Sequence, residues 1–264
     1  MITDVVQRWR DRRDTYRPAR ETIDPARYEV APISQGEAKA FVVRNHYSGS
    51  MPVPRRCDGL FRRGGLLVGV AVYSEPMQPA VLARLPCHRE AARELGRFVL
   101  GEEEPANSET FFLARSFEIQ RRDGAEGIVS FSDPLARTSA DGATVFAGHI
   151  GTIYQAKSAV YVGQNRRHTI RLLPSGRVLS DRAQAKIRKF DRNWESAAEQ
   201  LVRAGAAPLT ERDDPRAWLR RWLFLTRAVR HPGNHVYLFP LTRAVRRALP
   251  PSKPYPKFLA RPPR

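Results

Sequence analysis

The sequence predicts an α/β fold: a mixed central sheet flanked by helices, followed by a helical, basic C-terminal extension. Three observations lead there. Leu66-Leu67-Val68-Gly69-Val70-Ala71-Val72-Tyr73 is a nearly unbroken apolar run, which suits a strand covered on both faces of its sheet. Strand-like and helix-like segments alternate as far as Val162, the pattern of a layered α/β core. Beyond about residue 176 helical spacing takes over, and from Leu241 onward every charge is positive.

Each element has its own justification. Residues 1–24 read as a basic helix or arm that breaks at Asp24-Pro25, and Tyr28 to Pro32 as a first strand. Ser34-Gln35-Gly36-Glu37 fits a capping box, so a helix is expected through about Asn45. The turn Arg63-Gly64-Gly65 joins Gly59–Arg62 to Leu66–Tyr73 as a hairpin. Glu94 to Leu100 is the next strand. Ser108 reads as the N-cap of a helix carrying Phe112, Phe117 and Ile119 at helical spacing.

Gly127 to Phe131 is a short buried strand, Thr152 to Ala159 a helix, and Val160 to Val162 a returning strand. Three further helices are expected over Asp181–Phe190, Asn193–Gly205 and Ala217–Arg230, the last with Trp218 and Trp222 on a core face. His235 to Phe239 reads as a strand before a Pro-rich tail. The expected organisation is an arm at 1–24, a core at 25–175, and a helical, basic C-terminal extension at 176–264.

Composition narrows the class. The chain has 264 residues and is 42% hydrophobic, enough to bury one core of roughly 150–200 residues plus an appendage. Lys and Arg number 45 against 27 Asp and Glu, a net charge of +18 that favours a polyanionic partner, nucleic acid first. Cys57 and Cys87 are too few for a secreted disulfide framework. The Arg-rich N-terminus does not read as a secretory signal, and no apolar run approaches the roughly 20 residues of a membrane span. The expectation is a soluble, cytoplasmic protein with reduced thiols and no membrane association. Walker, dinucleotide and zinc signatures are missing from the sequence.

Candidate chemistry sits where apolar runs stop. The segment Phe41-Val42-Val43-Arg44-Asn45-His46-Tyr47 ends in an imidazole beside a phenol, both able to handle protons, and His is a common metal ligand. Val129-Ser130-Phe131-Ser132 ends in Asp133-Pro134. An amino group on an aromatic ring is a poor nucleophile because its lone pair is delocalised into the ring. A carboxylate accepting one of its hydrogens localises that pair. Gly148-His149-Ile150-Gly151-Thr152-Ile153-Tyr154-Gln155-Ala156 adds a second-rank imidazole, His149, in a flexible turn. Taken singly, the Asp-Pro turn also reads as an Asx-type strand stop and the His-Tyr pair as ordinary packing.

Together these motifs resemble the Mom family of phage DNA adenine modification proteins, built on a fold related to GNAT acetyltransferases. The resemblance covers most of residues 28–175 and, more loosely, His231 to Lys257. It implies that the amino group of adenine in phage DNA becomes a carbamoylmethylamino group, which protects the DNA from host restriction. It implies His46, Tyr47, Asp133 and Tyr154 as the functional set, with iron held by His46, Tyr47 and Asp133. A GNAT protein would also seat the pyrophosphate of acetyl coenzyme A, or a related donor, at Asn107-Ser108, by the helix N-terminus. Plain acyl transfer would leave a carbonyl on the base nitrogen, so the carbamoylmethyl group needs a further step and a nitrogen source.

Double-stranded DNA is the expected partner, with its target base swung out of the duplex. Arg166, Arg167, Arg243, Arg246, Arg247, Lys253 and Lys257 are the candidate phosphate contacts, with Tyr255 and Phe258 in the tail available for stacking. The stretch Leu135 to Ala147 looks longer than the family link and would form a lid or a DNA-contacting loop. Two other readings stay open: a GNAT-type acyltransferase acting on a protein or small amine, and a non-catalytic DNA-binding protein on a degenerate enzyme fold.

Overall fold

A computed structural model describes residues 5–10, 13–18, 22–76 and 78–257. Strands β1 (Val5–Arg10) and β2 (Arg13–Pro18) pair antiparallel, Val5 opposite Pro18. The helix expected at the N-terminus is thus corrected to a hairpin. Val5, Val6, Trp9, Thr15 and Tyr16 are β-branched or aromatic, types that favour extended backbone. Phe258, proposed for stacking, lies outside the described residues.

The chain continues through β3 (Tyr28–Pro32), α1 (Gln35–Asn45), β4 (Pro54–Arg62), β5 (Leu66–Ser74), β6 (Ala92–Leu100), α2 (Ser108–Arg122) and β7 (Gly127–Ser132). Next come β8 (Arg137–Thr138), β9 (Thr144–Phe146), α3 (Thr152–Ala156), β10 (Val160–Gln164) and β11 (His168–Leu172). The last part holds α4 (Asp181–Lys189), α5 (Trp194–Val202), α6 (Pro215–Trp222), β12 (Arg227–His231), β13 (His235–Pro240) and α7 (Arg243–Ala248).

Two compact units share these elements: Met1–Pro134, Gly148–Asn165 and Asn234–Arg264 form one; Leu135–Ala147 and Arg166–Gly233 form the other. In place of the single boundary expected near residue 175, the chain passes between the units four times, after Pro134, Ala147, Asn165 and Gly233. Leu135–Ala147 belongs to the second unit, where Ala140 N–H donates to the Pro174 carbonyl at 2.7 Å.

The first unit is built on a seven-stranded sheet in the order β10-β13-β7-β6-β5-β4-β3, antiparallel except for the parallel pair β6–β7. β5 explains why its sequence is apolar throughout. Val70 and Val72 pack with Ala38 and Val42 of α1, while Ala71 and Tyr73 pack with Phe112, Leu113 and Phe117 of α2. Alternate side chains point to opposite faces, so a helix covers each side. The capping box of α1 is formed: Glu37 N–H donates to Ser34 Oγ at 3.2 Å, and Ser34 N–H to the Glu37 carboxylate at 3.0 Å.

Inside the α2 face lies a polar chain. Ser116 Oγ donates to Asp58 at 2.6 Å, Gln120 donates to the same oxygen at 3.0 Å, and the Tyr73 hydroxyl meets Ser116 Oγ at 2.6 Å. Ser116 has one proton and gives it to Asp58, so Tyr73 is the donor to Ser116.

The second unit holds the β8–β9 and β11–β12 pairs and a helical core from Leu179, Ile187, Trp194, Leu201, Trp218 and Leu219. The helix expected over Ala217–Arg230 stops at Trp222, and Arg227 onward pairs with β11, His231 opposite His168. Thr226 and Val229 are β-branched, and a partner strand distant in sequence decides the outcome.

Candidate active site

The site is assembled where β6 and β7 separate. They pair in parallel from Ala92–Gly127 to Leu95–Ser130. There Ser130 Oγ donates to the Leu95 carbonyl at 3.0 Å, and the parallel ladder ends. At the same point β6 bulges: Leu95 faces Tyr73 and Arg97 faces Val72 on β5, leaving Gly96 as an extra residue. Residues three apart normally point to opposite faces of a strand. The bulge restores the match, and Glu94 and Arg97 come within electrostatic reach of each other. A Cβ at Gly96 would lie 2.2 Å from Ser74 Oγ, so any side chain there would force Ser74 to move.

Arg97 is the hub of the site. Its guanidinium donates to the Gly96 carbonyl at 2.6 Å, to the Ser50 carbonyl at 3.1 Å and to Ser50 Oγ at 3.3 Å, tying the loop after α1 to β6. Its charge is felt by His46, Glu94 and Tyr154, and Tyr47 is among its electrostatic neighbours. Burial lowers the Arg97 pKa from its ordinary value, while Tyr47, Glu94 and Tyr154 oppose that shift. Glu94 is held in a desolvated position that pushes its carboxyl up to about 7, against the pull of Arg97. Its Oε2 is buried with no hydrogen-bond partner among the described residues.

His46 closes α1 as its C-cap, giving its N–H to the Val42 carbonyl at 2.9 Å. Its Nδ1 accepts the backbone N–H of Ser48 at 3.1 Å and lies 2.9 Å from Ser48 Oγ. A nitrogen accepting an amide proton carries a lone pair, so the neutral ring has its proton on Nε2. Burial, then Arg97 and His149, hold the His46 pKa well below the usual imidazole range. Tyr47 stacks on His46 with ring centroids 4.1 Å apart and meets the ring of His149 edge-on at 6.2 Å. His149 N–H donates to the Asp133 carbonyl at 2.7 Å, which fastens the Gly-His turn to the end of β7.

Tyr154 lies deeper. It is buried in the α2-side core against Tyr237 and Phe239, and its hydroxyl bonds to Ser130. Gly151 makes that packing feasible at φ 73°, because a Cβ there would sit 2.7 Å from Tyr237 and 2.9 Å from Tyr154. Tyr154 is therefore a floor residue that positions Ser130 and lies near Arg97. Sequence reading placed His46, Tyr47, Asp133 and Tyr154 in one site, with His149 as a second-rank candidate; ring contacts join His46, Tyr47 and His149, a backbone bond joins His149 to Asp133, and Arg97 lies within electrostatic reach of His46, Tyr47 and Tyr154. That reading missed Glu94 and Arg97; the signal was Gly96, a lone glycine inside a strand pattern.

Two cofactor assignments do not fit their residues. An iron ion would need a lone pair from His46, yet Nδ1 is engaged by Ser48 and Nε2 carries the proton. No group of three or more His, Cys, Asp or Glu among the described residues could hold a metal. The Asn107-Ser108 seat is also engaged. Asn107, not Ser108, is the N-cap, at φ 65°, and both the N–H and the hydroxyl of Ser108 go to the Pro105 carbonyl, at 3.3 and 2.7 Å. The carboxylates of Glu102, Glu103, Glu104 and Glu109 flank that turn, and like charge opposes a diphosphate there. Glu104 is fixed by Arg62 at 2.7 Å and by the Tyr28 hydroxyl at 2.7 Å.

The basic candidates are distributed. Arg166 and Arg167 are exposed on the second unit; Arg243, Arg246 and Arg247 on α7 and Lys253 and Lys257 beyond it are exposed on the first. Lys253 N–H donates to the Tyr161 carbonyl at 2.9 Å, which anchors the tail along β10. No helix among the described residues is long and apolar enough to cross a membrane. A cleft of about 600 Å³ lies at the β3–β4 end of the sheet, lined by Ala26, Tyr28, Phe61 and Arg62, and contains none of the site residues.

Residues 27–257 match the model of the Mom protein family. No curated protein matches. Among solved structures, a tandem GNAT protein from the clavulanic acid biosynthesis pathway is similar with TM-score 0.42 and 9% identity, covering 81% of this chain and 99% of that one. A putative acetyltransferase from Pyrococcus horikoshii gives TM-score 0.38 and 12% identity, covering 83% and 92%. N-acetylglutamate synthase from Neisseria gonorrhoeae, complexed with coenzyme A and N-acetyl-glutamate, gives 0.35 and 10%, covering 83% of this chain and 36% of that one.

Proposed function

The chain belongs to the Mom protein family, and from that premise we propose that it is a transferase that modifies the exocyclic amino group of adenine in phage DNA, making it a carbamoylmethylamino group. The observation that carries this reading is the shared neighbourhood at the β6–β7 parting: the His46-Tyr47 pair, Glu94 with Arg97, and Asp133 with His149. It offers a proton acceptor near neutral pH, a fixed cation and a neutral donor in one place.

In this reading a flipped adenine lies against Tyr47, and the Nε2–H of His46 donates to a ring nitrogen of the base. Asp133 accepts one amino hydrogen and localises the lone pair. As the new N–C bond forms to the methylene carbon of a donor that already carries the carbamoyl group, the bond from that carbon to the donor's leaving group breaks and the leaving group departs with its electron pair. The second amino proton passes to Glu94, whose carboxyl near 7 matches a general base at neutral pH. Arg97 holds the loop carrying His46 and Tyr47 against β6, and Tyr154 supports Ser130 beneath it. Unstacking the base is offset by phosphate contacts from exposed cations such as Arg166, Arg167 and Arg246.

The test is to express the protein, digest host DNA to nucleosides and measure the mass of deoxyadenosine. A carbamoylmethyl addition supports the reading. Unmodified deoxyadenosine at good expression of folded protein counts against it. In that event, thioester turnover without DNA would indicate an acyltransferase acting on a protein or small amine. DNA binding unaffected by Asp133→Ala and His46→Ala would indicate a binding protein alone.

A further inference from the structure

The most exposed large apolar side chain among the described residues is Phe224, at 72%. It lies in the second unit on the single 3-10 turn, residues 223–225, between α6 and β12. Its neighbours Leu223 and Leu225 pack into the helical core, so the turn is well anchored and holds Phe224 outward between them. A lone exposed apolar residue is unremarkable on a protein surface, but this one has company. Its ring lies 6.0 Å from that of Trp222 at an interplanar angle of 32°, and the Arg221 guanidinium sits 5.3 Å over Trp222. Arg220 and Arg221 precede the pair, and Arg227 and Arg230 follow it on β12, all exposed. From Pro215 to Arg264 the sequence has no Asp or Glu at all.

Aromatic faces among exposed guanidinium groups fit a flat base flanked by phosphates. A protein partner could also use a ring among cations, but fifty residues without a carboxylate and the net charge of +18 favour a polyanion. We infer that Phe224 is a wedge that enters a base step of duplex DNA, while Arg221, Arg227 and Arg230 hold the phosphates on either side. The inference rests on the proposed action on DNA and deepens it by naming a segment of the second unit that grips the duplex.

The experiment uses the full chain and a duplex labelled with 2-aminopurine, read by fluorescence anisotropy over a salt series and by 2-aminopurine brightening. Phe224→Ala should weaken binding roughly 5- to 150-fold, the range of one base–aromatic stack, abolish the brightening and leave the salt slope unchanged. Phe224→Trp should restore both. Arg227→Gln should instead lower the salt slope by about one. Because Phe224 is exposed, an unchanged melting temperature will show that the variant is folded. If wild type binds and Phe224→Ala binds and brightens equally, the wedge is overturned while the DNA reading stands. If only self-association or capture of another protein changes, the turn is a protein interface and the wedge is again overturned. If wild type does not bind DNA, both fall.

Discussion

Replacing Glu94 with Gln separates the proposed base from every merely structural carboxylate. Burial raises the Glu94 carboxyl from 4.5 to about 7, a preference for the neutral form of about 3 kcal/mol. Its edge is only partly buried, so screening by water trims this to about 1.5–3 kcal/mol. The sign follows from proton counting. Between pH 4.5 and 7 the folded state binds more protons than the unfolded chain, so this group lowers stability as pH rises through that window and adds nothing further above it. Gln is neutral throughout. The stability of Glu94→Gln relative to wild type should therefore rise by about 1.5–3 kcal/mol between pH 5 and pH 8, a shift of about 3–12 °C in melting temperature. The same change should slow adenine modification by about 10²–10⁴-fold and remove the rise in wild-type rate through pH 7. Paired melts at pH 5 and 8 and rates from nucleoside mass make the assay. A stability difference independent of pH would refute the burial argument, and a wild-type rate in the variant would refute the assignment of Glu94 as base.

Three further expectations follow from named contacts. Gly96→Ala places a Cβ against Ser74 Oγ and should destabilise by about 1–3 kcal/mol and reduce modification, as overpacking does; the double variant with Ser74→Gly should recover much of both in melts and rate assays. Ser116→Ala removes the donor to Asp58 and the acceptor for Tyr73 and should cost about 1–3 kcal/mol in urea unfolding. His46 should remain neutral at pH 6 as the Nε2–H tautomer, visible in long-range ¹H–¹⁵N spectra. A proton on Nδ1 would contradict the bond from Ser48, and added iron should leave these signals unmoved.

How much was legible depended on whether the deciding interaction was local. The capping box of α1 and the hairpin β4–β5 are written in adjacent residues, and both formed as read. The apolar run of β5 announced a covered strand because each face meets a helix. The end of α6 was not legible, since Arg227 to His231 becomes a strand only by pairing with β11, more than fifty residues earlier. The acids at the start of α2 were in plain view. Reading them as hostile to a diphosphate required seeing Ser108 already bonded to Pro105.

Glu94 and Arg97 show why the site was harder to read than the fold. Period two along a strand assigns them to opposite faces, one toward α1 and one toward α2. A single extra residue, Gly96, cancels that parity, and it does so where β7 peels away from β6. The bulge thus brings a carboxylate and a guanidinium together and places them beside the gap between strands. Arg97 then reaches back to Ser50 and fixes the turn that carries His46 and Tyr47. One glycine without a side chain therefore sets the register for groups on two distant segments. The protonation states follow from that arrangement: burial neutralises His46 and lifts Glu94, while the same Arg97 opposes a charge on the first and favours it on the second.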